Sequence, residues 1–463
     1  MSQKTTLIIL AQAAISCGAL FAEVKPNPLF TNGAILQRGQ PIPVWGSAAE
    51  GEKVTVEFCG QKVTTHAKEG KWRVDLEALE AGGPFTMTIS GENTVTVNNL
   101  LIGEVWLASG QSNMAWVLNK TSAAKNDTPN ANYPQLRVFK VETTPSLTPQ
   151  TSAGGTWVKC SPETAGGFSA VGYYFARDLH VKLGVPVGII VSAVGGTPAQ
   201  AWTSKEGLST HPELQEYAAQ AKALADSGLP KGKDRQKAST VLFNGMIAPL
   251  IPYAMKGVIW YQGESNDGES KQYQTLFPAM ITDWRGRWMQ GDFPFLYVQI
   301  APCNKMSPDI REAQFLTLSK AQHAAMVVTV DVGDEQNIHP PQKAPVGARL
   351  ALAARALAYG EKIVYSGPLY KGMEITGKEA VMAFDHVGGG LEARDGELKG
   401  FTIAGADGKH VPAKAMIRGD TVVISAEGVA EPKAVRYGWA NVPDVNLFNH
   451  EGLPASPFRT DED

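Results

Sequence analysis

The sequence predicts an α/β fold built on a parallel sheet and flanked on each side by a β-rich section. Three observations carry this. Between residues 101 and 360, apolar runs of strand length alternate with helical stretches, the rhythm of a parallel sheet with helices on both faces. Before and after that region the segments are shorter, alternate apolar with polar residues and are broken by glycine-bearing turns, as in antiparallel sheets. The chain, at 463 residues and 43% apolar, is too long for one ordinary domain and rich enough for more than one core.

Residues 1–22 read as an export signal. Lys4 supplies a positive start, Leu7–Phe21 is mostly apolar, and Ala22 could end the signal before Glu23. The apolar run is too short to span a membrane, so no transmembrane segment is expected and the mature protein is expected in the periplasm or outside the cell. Ala14-Ile15-Ser16-Cys17 makes a poor lipid-attachment box, because a small residue is wanted at Ile15 and a longer apolar one at Ala14. After cleavage Cys59, Cys160 and Cys303 remain, which is no disulfide framework. One bridge between Cys160 and Cys303 and three buried thiols are the two readings.

From residue 23 to 100 the strand candidates are Val54–Phe58, Trp72–Leu76, Phe85–Ser90 and Thr94–Val97, a small antiparallel domain in which Pro41 and Pro43 suit an edge strand. From 101 to 360 the strands fall at Val105–Ala108, Val187–Ser192, Gly257–Tyr261, Phe295–Ile300 and Met326–Val332. The helices fall at Ser169–Leu183, Tyr273–Trp288, Arg311–Ala324 and Val346–Ala358. From 361 to 463 short β segments return, at Val381–Phe384, Leu398–Ile403, Val411–Ile417, Thr421–Ser425 and Ala434–Trp439.

A parallel sheet gathers ligand groups on the loops beyond the carboxyl ends of its strands. Here those loops read Gly110-Gln111-Ser112-Asn113, Ala193-Val194-Gly195-Gly196-Thr197, Tyr261-Gln262-Gly263-Glu264-Ser265-Asn266 and Asp331 through Pro340. Each has a use in acyl transfer. Ser112, between a buried strand and a helix start, holds its hydroxyl out of the sheet beside free N–H groups, the setting of a nucleophile. Gly196 leaves its N–H open to an oxyanion, and the carboxamide of Gln262 or Asn266 offers a further donor. Of the eight histidines, His339 alone follows a strand within an acidic loop, with Pro340 fixing the next residue. His386 beside Asp385 is the rival base, but it lies in the C-terminal β section.

Other chemistries find less support. The net charge of −3 gives no basic surface for nucleic acid. No HExxH spacing or cysteine cluster suggests a metal, and no glycine run has the context of a dinucleotide or phosphate loop, so no cofactor is implied. A glycosidase would need paired carboxylates such as Glu264 and Asp334.

Together the segments GEVWLASGQSNM, VGGTPAQAW, VIWYQGESN and IHP resemble the sialate O-acetylesterase family, and AVRYGWAN and NLFNHEGLPASPFRTD resemble its ending. The resemblance, to a bacterial exported member, covers nearly everything from Val24 to Asp463. It implies a three-layer α/β/α esterase domain of the SGNH type, with Ser112 as nucleophile and His339 as base. Ser112 and Gly196 would form the oxyanion hole, joined by Gln262 and Asn266. SGNH-type enzymes usually place an Asp three residues before the His, where this chain has Gln336. Asp334 is therefore assigned as the orienting acid, with Asp331, Glu335 and Glu264 as alternatives. With none in contact, a Ser–His pair would be oriented by a backbone carbonyl. Gln111, Trp116, Trp202 and Glu264 are the candidates for holding the sugar, Trp116 and Trp202 by stacking. The implied reaction is removal of acetyl groups from sugar hydroxyls through an acetyl-enzyme, on an acetylated sugar or polysaccharide. An acetylxylan or xyloglucan esterase of the same mechanism, or a non-catalytic carbohydrate-binding relative, are the alternatives.

Overall fold

A computed structural model of the chain describes residues 23–461. The expected export signal lies outside the described residues. The central sheet is organised around one long strand, β1 (Thr94–Gly110). Its first half alternates exposed and buried residues and pairs antiparallel with Gly82–Ser90 of the N-terminal section. From Leu100 to Gly110 every residue is buried, and from Glu104 the same strand runs parallel to its neighbours. That change follows the sequence. LLIGEVWLASG is apolar or small but for Glu104, which is buried in a pair with Arg38, as a strand covered on both faces requires, whereas TVTVN alternates, as a strand with one wet face requires. The position between residues 100 and 101, where the sequence reading divides the chain, lies inside this strand.

The remaining sheet strands are β2 (Tyr133–Lys140), β3 (Trp157–Cys160), β4 (Val187–Ala193), β5 (Gly257–Tyr261), β6 (Phe295–Val298) and β7 (Ala324–Val327). Their order across the sheet is β3-β2-β4-β1-β5-β6-β7, parallel throughout except for the β3–β2 edge. Helices α1 (Ser112–Ala115), α2 (Ala170–Leu183), α3 (Gln215–Ser227), α4 (Ser270–Trp288), α5 (Pro308–Lys320) and α6 (Ala344–Leu357) accompany it. One apolar core lies on the face toward α4 and includes Trp202, Trp260, Trp284 and Tyr297. It is continuous with the core of the N-terminal section, through Ile35, Leu100 and Ile102. A second core, with Trp106, Tyr174, Phe175 and Leu350, lies on the face toward α2 and α6. The C-terminal section keeps a core of its own around Met382, Ile403, Val435, Tyr437 and Phe458. It is tied to the sheet region by polar groups. Arg311, fully buried, donates to the carbonyls of Ala440 and Asn441, and Gln299 donates to Ser456 Oγ at 3.0 Å.

Several expectations are corrected. The run Met326–Val332 is strand only to Val327. Beyond it Thr329 turns its hydroxyl onto Gln299 O, and Val332 N–H closes a turn onto Thr329 O. Strands β2 and β3 were not expected, because Pro134 and the polar residues of β2 blur its pattern. Ile42–Ser47 is the middle strand of its three-stranded sheet, yet Lys25–Pro26 covers only Gly46 and Ser47, so Pro43 still stands where no partner needs its missing N–H. Cys160 and Cys303 are both buried free thiols, bonded to the carbonyls of Ala131 and Glu335 respectively, and make no bridge; Cys59 is also free but exposed, so only two of the three thiols are buried.

Candidate active site

The four loops at the carboxyl edge of the sheet do converge, and Ser112 sits where β1 stops. The strand is turned out by Gly110, whose φ is +129°. A Cβ there would lie 2.2 Å from Tyr261 O on the paired strand β5, so the tight exit has room only for glycine. Gln111 N–H then donates to Tyr261 O at 2.9 Å. Gln111 O in turn accepts the N–H groups of Met114 and Ala115, which closes the single turn α1. A second tie comes from Ser169, the cap of α2, whose hydroxyl donates to Met114 O at 2.6 Å. The N–H groups of Ser112 and Asn113 find no acceptor among the described residues, as the first turn of a helix leaves them.

His339 reaches this turn from the loop after β7. Its Nε2 lies 2.7 Å from Ser112 Oγ. With the ring proton on Nδ1, Nε2 accepts the serine hydroxyl, the pairing that lets an imidazole remove that proton. The ring is stacked on Trp116, with centroids 5.0 Å apart and planes 17° from parallel. Partial burial, and after it the charges of Lys343 and Lys120, hold His339 below the usual imidazole range. It is therefore a free base at neutral pH.

No carboxylate bonds to His339 among the described residues, and the expected orienting acid is corrected. Asp334 faces its own loop: Oδ1 accepts the N–H groups of Gln336 and Asn337, both at 3.0 Å. Asp and Asn prefer such local bonds to the backbone just ahead, and here the preference takes up the side chain. Asn337 repeats the device, its Oδ1 accepting His339 N–H at 2.9 Å. The alternatives are occupied as well. Asp331 forms a two-pronged pair with Arg349, and Glu335 accepts from Asn304. The rival base His386 lies edge-on to Tyr365 in the C-terminal section.

The expected oxyanion donors divide. Gly195 and Gly196 are exposed beside Ser112, a Cβ on Gly195 falling 3.3 Å from that of the serine, and Gly196 N–H has no acceptor among the described residues. Gln262 and Asn266 do not fit the role, because both are buried with their amide hydrogens already spent. Gln262 Nε2 donates to Thr197 O and to Asn266 Oδ1, and Asn266 Nδ2 donates to Gln200 and Glu269. Asn266 Oδ1 also accepts Ala199 N–H at 2.9 Å, so the pair braces the glycine loop from behind.

Among the sugar-binding candidates, Trp116 alone is partly exposed at the cleft. Trp202 is fully buried, edge-on to Trp260 and bonded to Thr197 Oγ1, which makes it core. Gln111 is buried and its Oε1 accepts Ser265 N–H, joining two loops. Glu264 is buried too, and accepts from Asn113 Nδ2 at 2.5 Å. Two residues were given no role in the sequence reading. Asn113 was visible within GQSN, whereas Lys343, at the start of a helix, carries no signal that separates it from a surface lysine. Lys343 is 1% exposed and donates to Asn113 Oδ1 at 2.5 Å. No group of three or more His, Cys, Asp or Glu that could hold a metal occurs among the described residues, nor does a helix long and apolar enough to cross a membrane.

Comparison with known proteins gives the family of the chain. A family model described as carbohydrate esterase, sialic acid-specific acetylesterase, matches residues 102–356. Rat sialate O-acetylesterase is 31% identical over 528 aligned positions, which span 98% of this chain and 96% of the rat protein. The human enzyme is 32% identical over 511, spanning 98% and 94%. A solved carbohydrate acetylesterase from Xanthomonas citri superimposes with a TM-score of 0.88 at 41% identity, covering 95% of this chain and all of that one. The chain therefore belongs to the sialic acid-specific acetylesterase family of carbohydrate esterases and is a serine-type carbohydrate O-acetylesterase.

Proposed function

We propose that the enzyme removes acetyl groups from the hydroxyls of sialic acids through an acetyl-enzyme on Ser112. The observation that carries the mechanism is the 2.7 Å contact between Ser112 Oγ and His339 Nε2. His339 takes the hydroxyl proton as Oγ attacks the acetyl carbonyl. The N–H groups of Ser112 and Gly196 receive the developing oxyanion. The imidazolium then returns the proton to the leaving sugar oxygen, and a water deprotonated by the same ring clears the acetyl group. Trp116 bounds the cleft on the side of the imidazole.

Two features support an acidic sugar. Lys120 stands 5.4 Å from the Trp116 ring centre, at the rim of the cleft, where a sugar carboxylate would find it. The relatives aligned over the whole chain are named sialate O-acetylesterases. The second reading, an esterase of neutral acetylated polysaccharides, is favoured by the Xanthomonas protein, which has the higher identity and is named only as a carbohydrate acetylesterase. Acetate release from O-acetylated sialic acid, acetylated xylan and acetylated xyloglucan, with Ser112→Ala as control, decides between them. Preference for the sialic acid that is lost on Lys120→Ala supports the first reading, and preference for a neutral glycan overturns it. A Ser112→Ala enzyme that still turns over would overturn the nucleophile itself. Residues 1–22 are proposed as the export signal, which N-terminal sequencing of the secreted or periplasmic protein would test.

A further inference from the structure

His339 holds its place without a carboxylate, so something else must fix the distance between the histidine loop and the serine turn. We propose that Lys343 is the positioning residue of this site, locking the two loops together through the side chain of Asn113. The proposal rests on the assignment of Ser112 and His339 as the reacting pair.

Asn113 is the residue after the nucleophile and is 1% exposed. Its amide is held from three directions. Lys343 Nζ donates to Oδ1 at 2.5 Å, while Nδ2 donates to Glu264 Oε1 at 2.5 Å and to Ile338 O at 3.0 Å. A donor on one side and two acceptors on the other allow a single orientation of the amide. Ile338 immediately precedes His339, so the third bond ties the base directly to the turn that carries the nucleophile. Without the lysine, Oδ1 would be left buried with no donor, and the amide would be held only through the two bonds of Nδ2.

The charges around this amide point the same way. No direct ion pair joins Lys343 to Glu264; the Asn113 amide stands between them. Glu264 Oε2 is buried with no partner. Burial raises the Glu264 carboxyl above its usual range and lowers Lys343 to about 7, the latter against the attraction of Glu264. Lys343 Nζ also lies 5.2 Å above the Tyr261 ring. A packing role alone would not call for a group so costly to bury. The charged groups that face His339 are Lys343 and Lys120; Glu264 is the titratable group that faces Lys343, beside the neutral Tyr261 ring. The charge of Lys343 opposes a second positive charge on His339.

The test is Lys343→Met, which keeps the length of the stem and removes both the donor and the charge. With 4-nitrophenyl acetate, kcat should fall about 10- to 100-fold while KM stays within about twofold, the pattern of a misplaced base rather than a lost binding contact. The acid limb of the kcat/KM profile should move upward by about half a pH unit or more, because His339 is relieved of a neighbouring cation. A lysine that only fills space would alter the melting temperature and leave kcat within about twofold of wild type, because its charge moves the acid limb on either reading. Retention of wild-type kcat would overturn the proposal, wherever the acid limb falls. Should the single variant fail to fold, Glu264→Gln with Lys343→Met removes both buried charges together and carries the same two expectations. Ser112→Ala measured alongside separates the two readings: its inactivity beside an unimpaired Lys343→Met overturns the positioning role alone.

Discussion

The nucleophile and its base stand 2.7 Å apart on supports of opposite construction. Ser112 is fixed from below by the backbone of two paired strands, the carbonyl of Tyr261 and a cap from Ser169, all buried. His339 stands at the end of a surface loop held by the short local bonds of Asp334 and Asn337, by the Trp116 ring and by Asn113. The serine is positioned by the sheet, and the histidine by what packs around it. Changes on the serine side should therefore be all-or-none, whereas changes on the histidine side should be graded.

The largest effect is expected from Ser112→Ala, a loss on the order of 10⁴-fold or more in kcat with the fold intact, read by acetate release and circular dichroism. Gly110→Ala comes next. Its Cβ would meet Tyr261 O at 2.2 Å, in a backbone conformation that side chains avoid. The turn must move, and a fall in activity of about 100-fold or more with a destabilisation of roughly 2 kcal/mol should follow in kinetic and denaturation measurements. On the histidine side, Trp116→Ala should cost only about tenfold in kcat/KM. It should also raise the acid limb toward 6.5, because burial is the main cause of the depressed His339 value and the ring supplies part of it. The smallest effect is expected from Asp334→Asn. The carboxamide oxygen can accept the same two N–H groups, so kcat/KM should change by less than about threefold, against roughly 10⁴-fold for a carboxylate that holds the imidazole of a protease triad. A large loss there would erase the contrast between the two supports and restore Asp334 as the orienting acid.

The fold was legible wherever a segment's own pattern decided its state. Gly257–Tyr261 is strand over the span expected, and Ser169 caps the helix that was expected to start there. The run after Met326 misled because its apolar residues are buried in a turn rather than a strand, and the pattern records burial, not conformation. Helix α3, with only Tyr217 and Ala218 buried, offered little apolar periodicity to read.

What the sequence determined by itself was the serine turn, the candidate base and the sheet that brings them to one edge. Those features depend on local chemistry: an apolar strand, a glycine that exits it, a serine at a helix start and a histidine beyond another strand. Only the tertiary structure decided which polar side chains face the cleft. Asp334, Gln262, Asn266 and Trp202 all have the right chemistry and the right loop, yet each is engaged by a nearer partner. Lys343 carries no local signal, and it reaches the site because the residue that precedes α6 is set against Asn113. A buried polar group bonds to whatever the packing sets beside it, and for Lys343 and Asn113 that neighbour lies 230 residues away along the chain.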